Sequence, residues 1–255
     1  MSDQARKNMI EINKVYNADA LDILRQIPDN SIDLILTDPP FMISQEIKIF
    51  RGGNSKFKGK DIDLDFGAWD KQWKSMNDYL EWCKLWLKEA VRVLKDYRHL
   101  VFFYDIRKIS YVVDYLESLN MKYRGNLLWI KSNPTPQARK VKFQRAVEYA
   151  LWFTKSKIYS QYFNYKYGQS PEYVIAGLPN SNRIHPAQKP VKVLEHWIKY
   201  FSDEGDIVLD PFAGSGSTIV ASINLNRNYI GIERDKDFHE KILERIKTLQ
   251  IRLGI

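Results

Sequence analysis

The sequence predicts an α/β domain with a parallel element. Short apolar runs ending in carboxylates alternate with stretches of helical periodicity. Ile207 to Glu233 reads as strand, glycine loop, helix and strand, a βαβ unit. The chain has 255 residues, 44% of them hydrophobic, which suffices for one large domain of this class or two small ones.

Lys14 to Asn17 suggests a first short strand, and Asp19 is placed to cap a helix marked by Leu21, Leu24 and Ile27. Ile32 and Leu34 to Leu36 read as a buried strand, stopped by Asp38-Pro39-Pro40-Phe41. The prolines lack N–H donors and fix their own backbone angle. A carboxylate, a carbonyl and a ring are thereby held at a strand's C-terminal edge, where open α/β sheets bind ligands. Taken alone, the tetrapeptide is equally a strand ended by a Pro-Pro turn.

Met42 to Lys74 is basic and glycine-containing, with Lys48, Arg51, Lys56, Lys58, Lys60, Lys71 and Lys74. It reads as a functional loop or a solvated insertion, and residues 42–76 are expected to be mobile. Asn77 is the expected cap of a helix carrying Leu80, Cys83, Leu87, Ala90, Val91 and Leu94. Leu100 to Tyr104 is a strand, Tyr111 to Leu119 a helix, and Asn126 to Ile130 and Val147 to Phe153 are two further strands.

From Ser118 to Val147 there is no acidic residue, while Lys122, Arg124, Lys131, Arg139, Lys140, Lys142 and Arg145 are basic. Such a stretch is a candidate phosphate track or an ordinary solvated loop. Tyr159 to Tyr173 is rich in tyrosine and suits either stacking on nucleic acid or core packing. Pro190 opens a helix with Val193, Leu194, Trp197, Ile198 and Phe201 on its apolar face. Asp206 to Leu209 is a strand, Ile219 to Leu225 a helix, Tyr229 to Glu233 a strand, and a last amphipathic helix uses Phe238, Ile242, Ile246 and Leu249.

A net charge of +8 favours a polyanionic partner. The single cysteine, Cys83, excludes an internal disulfide and a multi-cysteine metal site. Met1 to Asn8 is polar and lacks the apolar core of a secretory signal, and no apolar run is long enough to span a bilayer, so a cytoplasmic protein is expected. In the βαβ unit, Gly214 and Gly216 let backbone pass close to a ligand at a helix N-terminus, and Glu233 is placed to accept hydrogen bonds from ribose hydroxyls. The three-glycine dinucleotide pattern is absent, which disfavours a nicotinamide cofactor.

Taken together, the two motifs resemble those of the DNA amino-methyltransferases, which move a methyl group from S-adenosylmethionine to an exocyclic base nitrogen. The order, catalytic motif before cofactor motif, is that of the permuted β class, and the likeness covers nearly the whole chain. The resemblance implies a Rossmann-like, seven-stranded, mostly parallel mixed sheet with helices on both faces. It implies catalytic roles for Asp38, Pro39, Pro40 and Phe41, and cofactor contacts from Asp19, Lys189, Asp210, Phe212, Gly214, Gly216, Thr218 and Glu233. Val147-Glu148 stands where the family usually has His-Glu.

The region that usually reads the target is short here, 156–185, which points to recognition shared with the 42–76 loop and with a second subunit in a homodimer. Double-stranded DNA is the expected partner, with Arg139, Lys140 and Lys142 on its phosphates; no nuclease partner and no metal is required. Asp38 in the catalytic motif leans towards adenine N6; the rivals are a cytosine-N4 enzyme and a nucleic-acid-binding protein with a dead cofactor pocket.

Overall fold

The computed structural model describes residues 10–42, 48–49, 62–63, 72–136, 141, 143–156, 161–179 and 183–254. Its strands are β1 (Lys14–Tyr16), β2 (Ile32–Thr37), β3 (Lys48–Ile49), β4 (Ile62–Asp63), β5 (Leu94–Phe103), β6 (Met121–Lys131), β7 (Val147–Lys155), β8 (Tyr173–Ala176), β9 (Ile207–Asp210) and β10 (Asn228–Ile232). Its helices are α1 (Ala20–Leu24), α2 (Met76–Val93), α3 (Ile109–Ser118), α4 (Val191–Phe201), α5 (Ser217–Asn224) and α6 (Lys236–Leu253). Strands β3 and β4 pair antiparallel inside the 42–76 segment, most of which lies outside the described residues.

The main sheet runs β1-β10-β9-β2-β5-β7-β6-β8. Only β7 is antiparallel to its neighbours in this sheet. Eight strands rather than the expected seven correct the sequence reading. The additional one is β8, which pairs with β6 from Leu128↔Tyr173 to Lys131↔Ala176. It has four residues, with Tyr173 and Ile175 exposed and Val174 and Ala176 buried. So short an edge strand, at the end of a tyrosine-rich stretch, gives little periodic signal. Part of the 156–185 segment therefore belongs to the sheet.

Side chains alternate across the sheet with the two-residue period of a strand. Ile35, Leu100, Phe102 and Leu209 pack in one cluster with Trp86, Leu87 and Ala90 of α2. Leu34, Leu36, Val101, Phe103 and Val208 pack in another with Val193, Leu194, Trp197 and Ile198 of α4. A third cluster joins Val15, Ile219 and Tyr229 to Ile242, Ile246 and Leu249 of α6. Central strands buried on both faces explain the continuous apolar runs seen in the sequence.

Two helix caps differ in how well they were foreseen. Asp19 caps α1 as expected, accepting from the Leu21 amide at 2.9 Å. Ser75, not Asn77, caps α2, accepting from the Asp78 amide at 3.1 Å. Both residue types are good caps, so a two-residue error at a helix start is within their shared chemistry.

The arrangement places the two motifs together. Strands β2 and β9 are parallel neighbours, in register at Leu34↔Val208 and Ile35↔Leu209. From β9 the sheet continues through β10 on one side and from β2 through β5 on the other. The loops after β2 and β9 thus leave the same C-terminal edge side by side, although 173 positions separate Thr37 from Asp210.

Candidate active site

Asp38 follows the last residue of β2. Its neighbour Thr37 donates its hydroxyl to Asp210 Oδ1 at 2.6 Å, tying β2 to β9 at their ends. The Asp210 carboxylate also takes the Phe212 amide at 3.2 Å and the Thr218 hydroxyl. Asp210 and Thr218 are therefore buried braces behind the two loops.

The backbone after Asp38 is pinned from α2 and from the turn after β5. Tyr79 donates its hydroxyl to the Pro40 carbonyl at 3.0 Å. Lys108 donates to the Phe41 carbonyl and, at 3.4 Å, to that of Met42. The Lys108 ammonium lies 4.7 Å from the centre of the Tyr79 ring. The Phe41 ring meets Tyr104 edge-on, with centroids 6.2 Å apart.

The Asp38 carboxylate is asymmetric. Oδ2 accepts from the Lys189 ammonium, whereas Oδ1 is buried without a hydrogen-bond partner. Lys189 also contacts Glu148 Oε2 at 3.3 Å and donates to the Ala187 carbonyl at 3.3 Å. Glu148 Oε1 in turn holds Lys131 at 2.7 Å. Two carboxylates and two ammonium groups alternate in one chain, Asp38–Lys189–Glu148–Lys131.

Burial pushes the Asp38 carboxyl up to about 6, against the pull of Lys189. Burial works against the charge on Lys189, but Asp38 and Glu148 outweigh it and hold the amine above the usual lysine range. For Glu148, burial is outweighed by Lys189 and Lys131, which keep its carboxyl below the usual range.

On the other side of the site, the Gly214 amide donates to Glu233 Oε2 at 2.7 Å and the Asp235 amide to Oε1 at 2.8 Å. Burial raises the Glu233 carboxyl above its ordinary value. Phe212 packs against Trp82 and Trp86 of α2, with centroids 5.5 and 5.3 Å away. His185 lies against Phe238 at 4.5 Å and beside Gly214, and burial pushes its pKa down to about 4, so it is neutral at pH 7.

These groups surround one cavity of about 1360 Å3. That exceeds the roughly 300–1,000 Å3 usual for a single small ligand. Asp38, Pro39, Pro40 and Phe41 line it, as do Asp19, Phe212, Gly214, Glu233 and Lys189. Asp210, Gly216 and Thr218 are not among its lining residues.

Gly216 has φ +71°, and a Cβ there would come within 2.8 Å of Ile242 Cγ2 on α6. The missing side chain at Gly216 thus makes room for α6 and for the left-handed cap of α5. Lys189, expected at the cofactor, lines the cavity with its ammonium on Asp38 and Glu148. Arg139, Lys140 and Lys142 lie outside the described residues.

Sequence reasoning missed Trp82, Trp86, His185, Tyr79 and Lys108, placed Lys131 only in a candidate phosphate track, and left the role of Glu148 open. The two tryptophans stand four apart in a helix, a spacing that puts both on one face and was available to be read. The contacts of Lys131 and Glu148 have no local signal, because adjacent antiparallel strands bring them together. Among the described residues, no group of three or more His, Cys, Asp or Glu could hold a metal ion.

The DNA methylase family N6_N4_Mtase matches residues 32–244. The type II methyltransferase M.HinfI of Haemophilus influenzae is 34% identical over 261 residues, 92% of this chain and 69% of its own. M2.DpnII of Streptococcus pneumoniae, another type II methyltransferase, is 31% identical over 92% of this chain and 89% of its own. Among solved structures, an M1.HpyAVI–SAM complex superposes with a TM-score of 0.69 and 28% identity, over 91% of this chain and 98% of that one. The cytosine-N4-specific PvuII DNA methyltransferase shares the fold, with a TM-score of 0.71 at 18% identity over 96% of this chain and 93% of that one. With the loops after β2 and β9 meeting at one sheet edge and the family match spanning both, the chain belongs to the N6/N4 DNA methylase family and is a DNA methyltransferase using S-adenosylmethionine.

Proposed function

We propose that the protein methylates the N6 amino group of adenine in duplex DNA, working as a homodimer in the cytoplasm. One observation carries this reading: Asp38, with a buried carboxylate oxygen that has no donor, lines the same cavity as Phe212, Gly214 and Glu233. The residues fit S-adenosylmethionine. Glu233 and Asp19 are acceptors for ribose and adenine groups, and Phe212, backed by Trp82 and Trp86, forms an aromatic wall. The volume leaves room for a target base beside a cofactor.

When bound, S-adenosylmethionine supplies an electrophilic methyl group. The protein's task is to prepare the acceptor. An adenine amino nitrogen is a poor nucleophile, because its lone pair is delocalised into the ring. Asp38 and the Pro39 carbonyl each accept one N–H of that amine, which holds the nitrogen pyramidal with its lone pair free. Positive charge developing there is stabilised by acceptors already in place, since Tyr79 and Lys108 fix the loop that carries them. The methylated nitrogen then sheds a proton, for which the Asp38 carboxylate is an available acceptor. Phe41 flanks the base. The amine is out of reach inside a duplex, so the base is flipped out of the stack.

In this reading residues 1–255 form one methyltransferase domain. Residues 42–76 and 156–185 contribute to target choice, and Arg139, Lys140 and Lys142 contact phosphates. Lys189 serves the catalytic side of the cavity.

The test is to incubate the protein with S-adenosylmethionine and unmethylated duplex DNA, digest to nucleosides and identify the product. N6-methyldeoxyadenosine is expected. N4-methyldeoxycytidine overturns the adenine assignment, and no methylated nucleoside overturns the function.

A further inference from the structure

The ammonium of Lys189 has three N–H donors, and three acceptors surround it: Asp38 Oδ2, Glu148 Oε2 and the Ala187 carbonyl. Its side chain is 7% exposed. The centre of the Phe103 ring lies 4.6 Å away, on a further side. A lysine so fully engaged has no donor to spare for a carboxylate at the glycine loop. It is fixed in turn by Glu148, whose other oxygen is held by Lys131 across the β6–β7 pair.

We propose that Lys189 is a positioning residue for methyl transfer: anchored by Glu148 and Lys131, it occupies Oδ2 of Asp38, keeps that carboxylate charged, and leaves Oδ1 without a donor until a target N–H arrives. The inference rests on the reading of Asp38 as the amine's acceptor. It adds a role that the glycine-loop assignment of Lys189 does not contain.

The physical reason is a conflict at Asp38. The site must be dry to strengthen its hydrogen bonds, yet a dry site favours the neutral acid, which has lost acceptor strength. An opposite charge in contact with Oδ2 resolves the conflict without blocking Oδ1. Placing the charge on an anchored lysine rather than a mobile one also fixes the rotation of the carboxylate.

The charged groups that act on Asp38 divide by sign. Lys189, from the segment before α4, favours the ionised form. Glu148 on β7 and Asp210 on β9 oppose it. Lys131 on β6 acts through Glu148. Lys108, from the turn after β5, is engaged by the Phe41 and Met42 carbonyls and lies 4.0 Å from Asp105. Removing Lys189 and removing the charge of Glu148 should therefore move the Asp38 titration in opposite directions, which a purely structural role does not require.

The experiment has two readouts on Lys189→Met, Lys189→Arg and Glu148→Gln. The first is the titration of Asp38 by carbon NMR in protein labelled at aspartate carboxyls, with Asp38→Asn identifying the resonance. The second is the single-turnover methyl-transfer rate against pH, with S-adenosylmethionine affinity measured by calorimetry.

Lys189→Met is expected to raise the Asp38 titration, and the acid limb of the rate, by about one pH unit or more. Glu148→Gln is expected to lower both, and Lys189→Arg to restore the wild-type midpoint. Cofactor affinity is expected to stay within about threefold. Midpoints that do not move, or a tenfold loss of cofactor affinity with the titration unchanged, overturn the proposal. If Lys189→Met does not fold, the direction of the Glu148→Gln shift decides. If wild-type protein transfers no methyl while the NMR midpoints move as stated, the function falls and the role in methyl transfer with it, and only the control of Asp38 ionisation by Lys189 stands.

Discussion

Asp38 and Asp210 show what carboxylates contribute when they are buried at the junction of β2 and β9. Burial pushes both up to about 6 from an ordinary value of 3.8. A carboxyl that binds its proton more tightly in the folded state than in the unfolded one stabilises the fold at low pH. That contribution is lost as pH rises from about 4 through about 6. The proposed methyl transfer has the opposite demand, since the Asp38 carboxyl is the stronger hydrogen-bond acceptor as the anion. Activity should therefore rise through pH 6 over the same range in which these two groups cease to favour folding.

Asp210→Asn isolates the stability half of this argument. The amide oxygen can still accept from Thr37 and Phe212, so the braces survive. Relative to wild type, the variant should gain up to ~3 kcal/mol in unfolding free energy as pH is raised from 4 to 7. Urea unfolding at several pH values measures the difference; a difference flat with pH would mean that Asp210 is not held above its ordinary value. Asp38→Asn isolates the catalytic half. It should fold and bind cofactor, because Glu233 and Gly214 are untouched, and lose on the order of 10²–10³ or more in single-turnover rate. A loss under tenfold would remove Asp38 as the acceptor. At this scale the sequence was informative where chemistry is local: a carboxylate followed by two prolines announces itself. Glu148 did not, because nothing beside it in sequence predicts Lys189 and Lys131 at its two oxygens.

At the scale of elements, the turn from β9 into α5 sets two glycines in different surroundings. Gly214 does line the cavity, beside His185. Gly216 instead answers to α6, whose Ile242 would overlap any Cβ placed there. A glycine required by close helix packing and one required by ligand approach look the same in sequence, and only tertiary contact separates them. Gly216→Val should therefore act on stability before binding. Its cost should be on the order of 2–6 kcal/mol, from a β-branched residue at positive φ and from overpacking. Adding Ile242→Ala should recover part of the overpacking cost, so the double variant is less destabilised than the two single effects summed. Denaturation of all three proteins tests this. A stable Gly216→Val protein that merely fails to bind cofactor would return the residue to the ligand. Strand β8 was illegible for a related reason, since four alternating residues acquire their meaning from β6, some forty-five positions upstream.

The molecule as a whole presents a polarised sheet. Strands β2, β6 and β9 all point the same way, so Asp38, the glycine loop and the β6–β7 connection emerge at one edge. Lys131, at the end of β6, and Arg145, just before β7, line the cavity with Asp38. The connection between them carries Arg139, Lys140 and Lys142 and has no acidic residue to offset them. On a chain of net charge +8, a phosphate contact there neutralises backbone charge and releases counterions. Each such contact contributes about 0.9 to the slope of log affinity against log salt. Replacing all three residues by alanine should lower the magnitude of that slope by up to about 3 and weaken binding to every sequence about equally. The methyl-transfer rate of bound complexes should change little, because a phosphate contact takes no part in the acceptor's chemistry. Binding measured over a salt series on target and non-target duplexes decides it. An unchanged slope would place the phosphate track on another surface, and a loss confined to the target sequence would make these residues readers of bases.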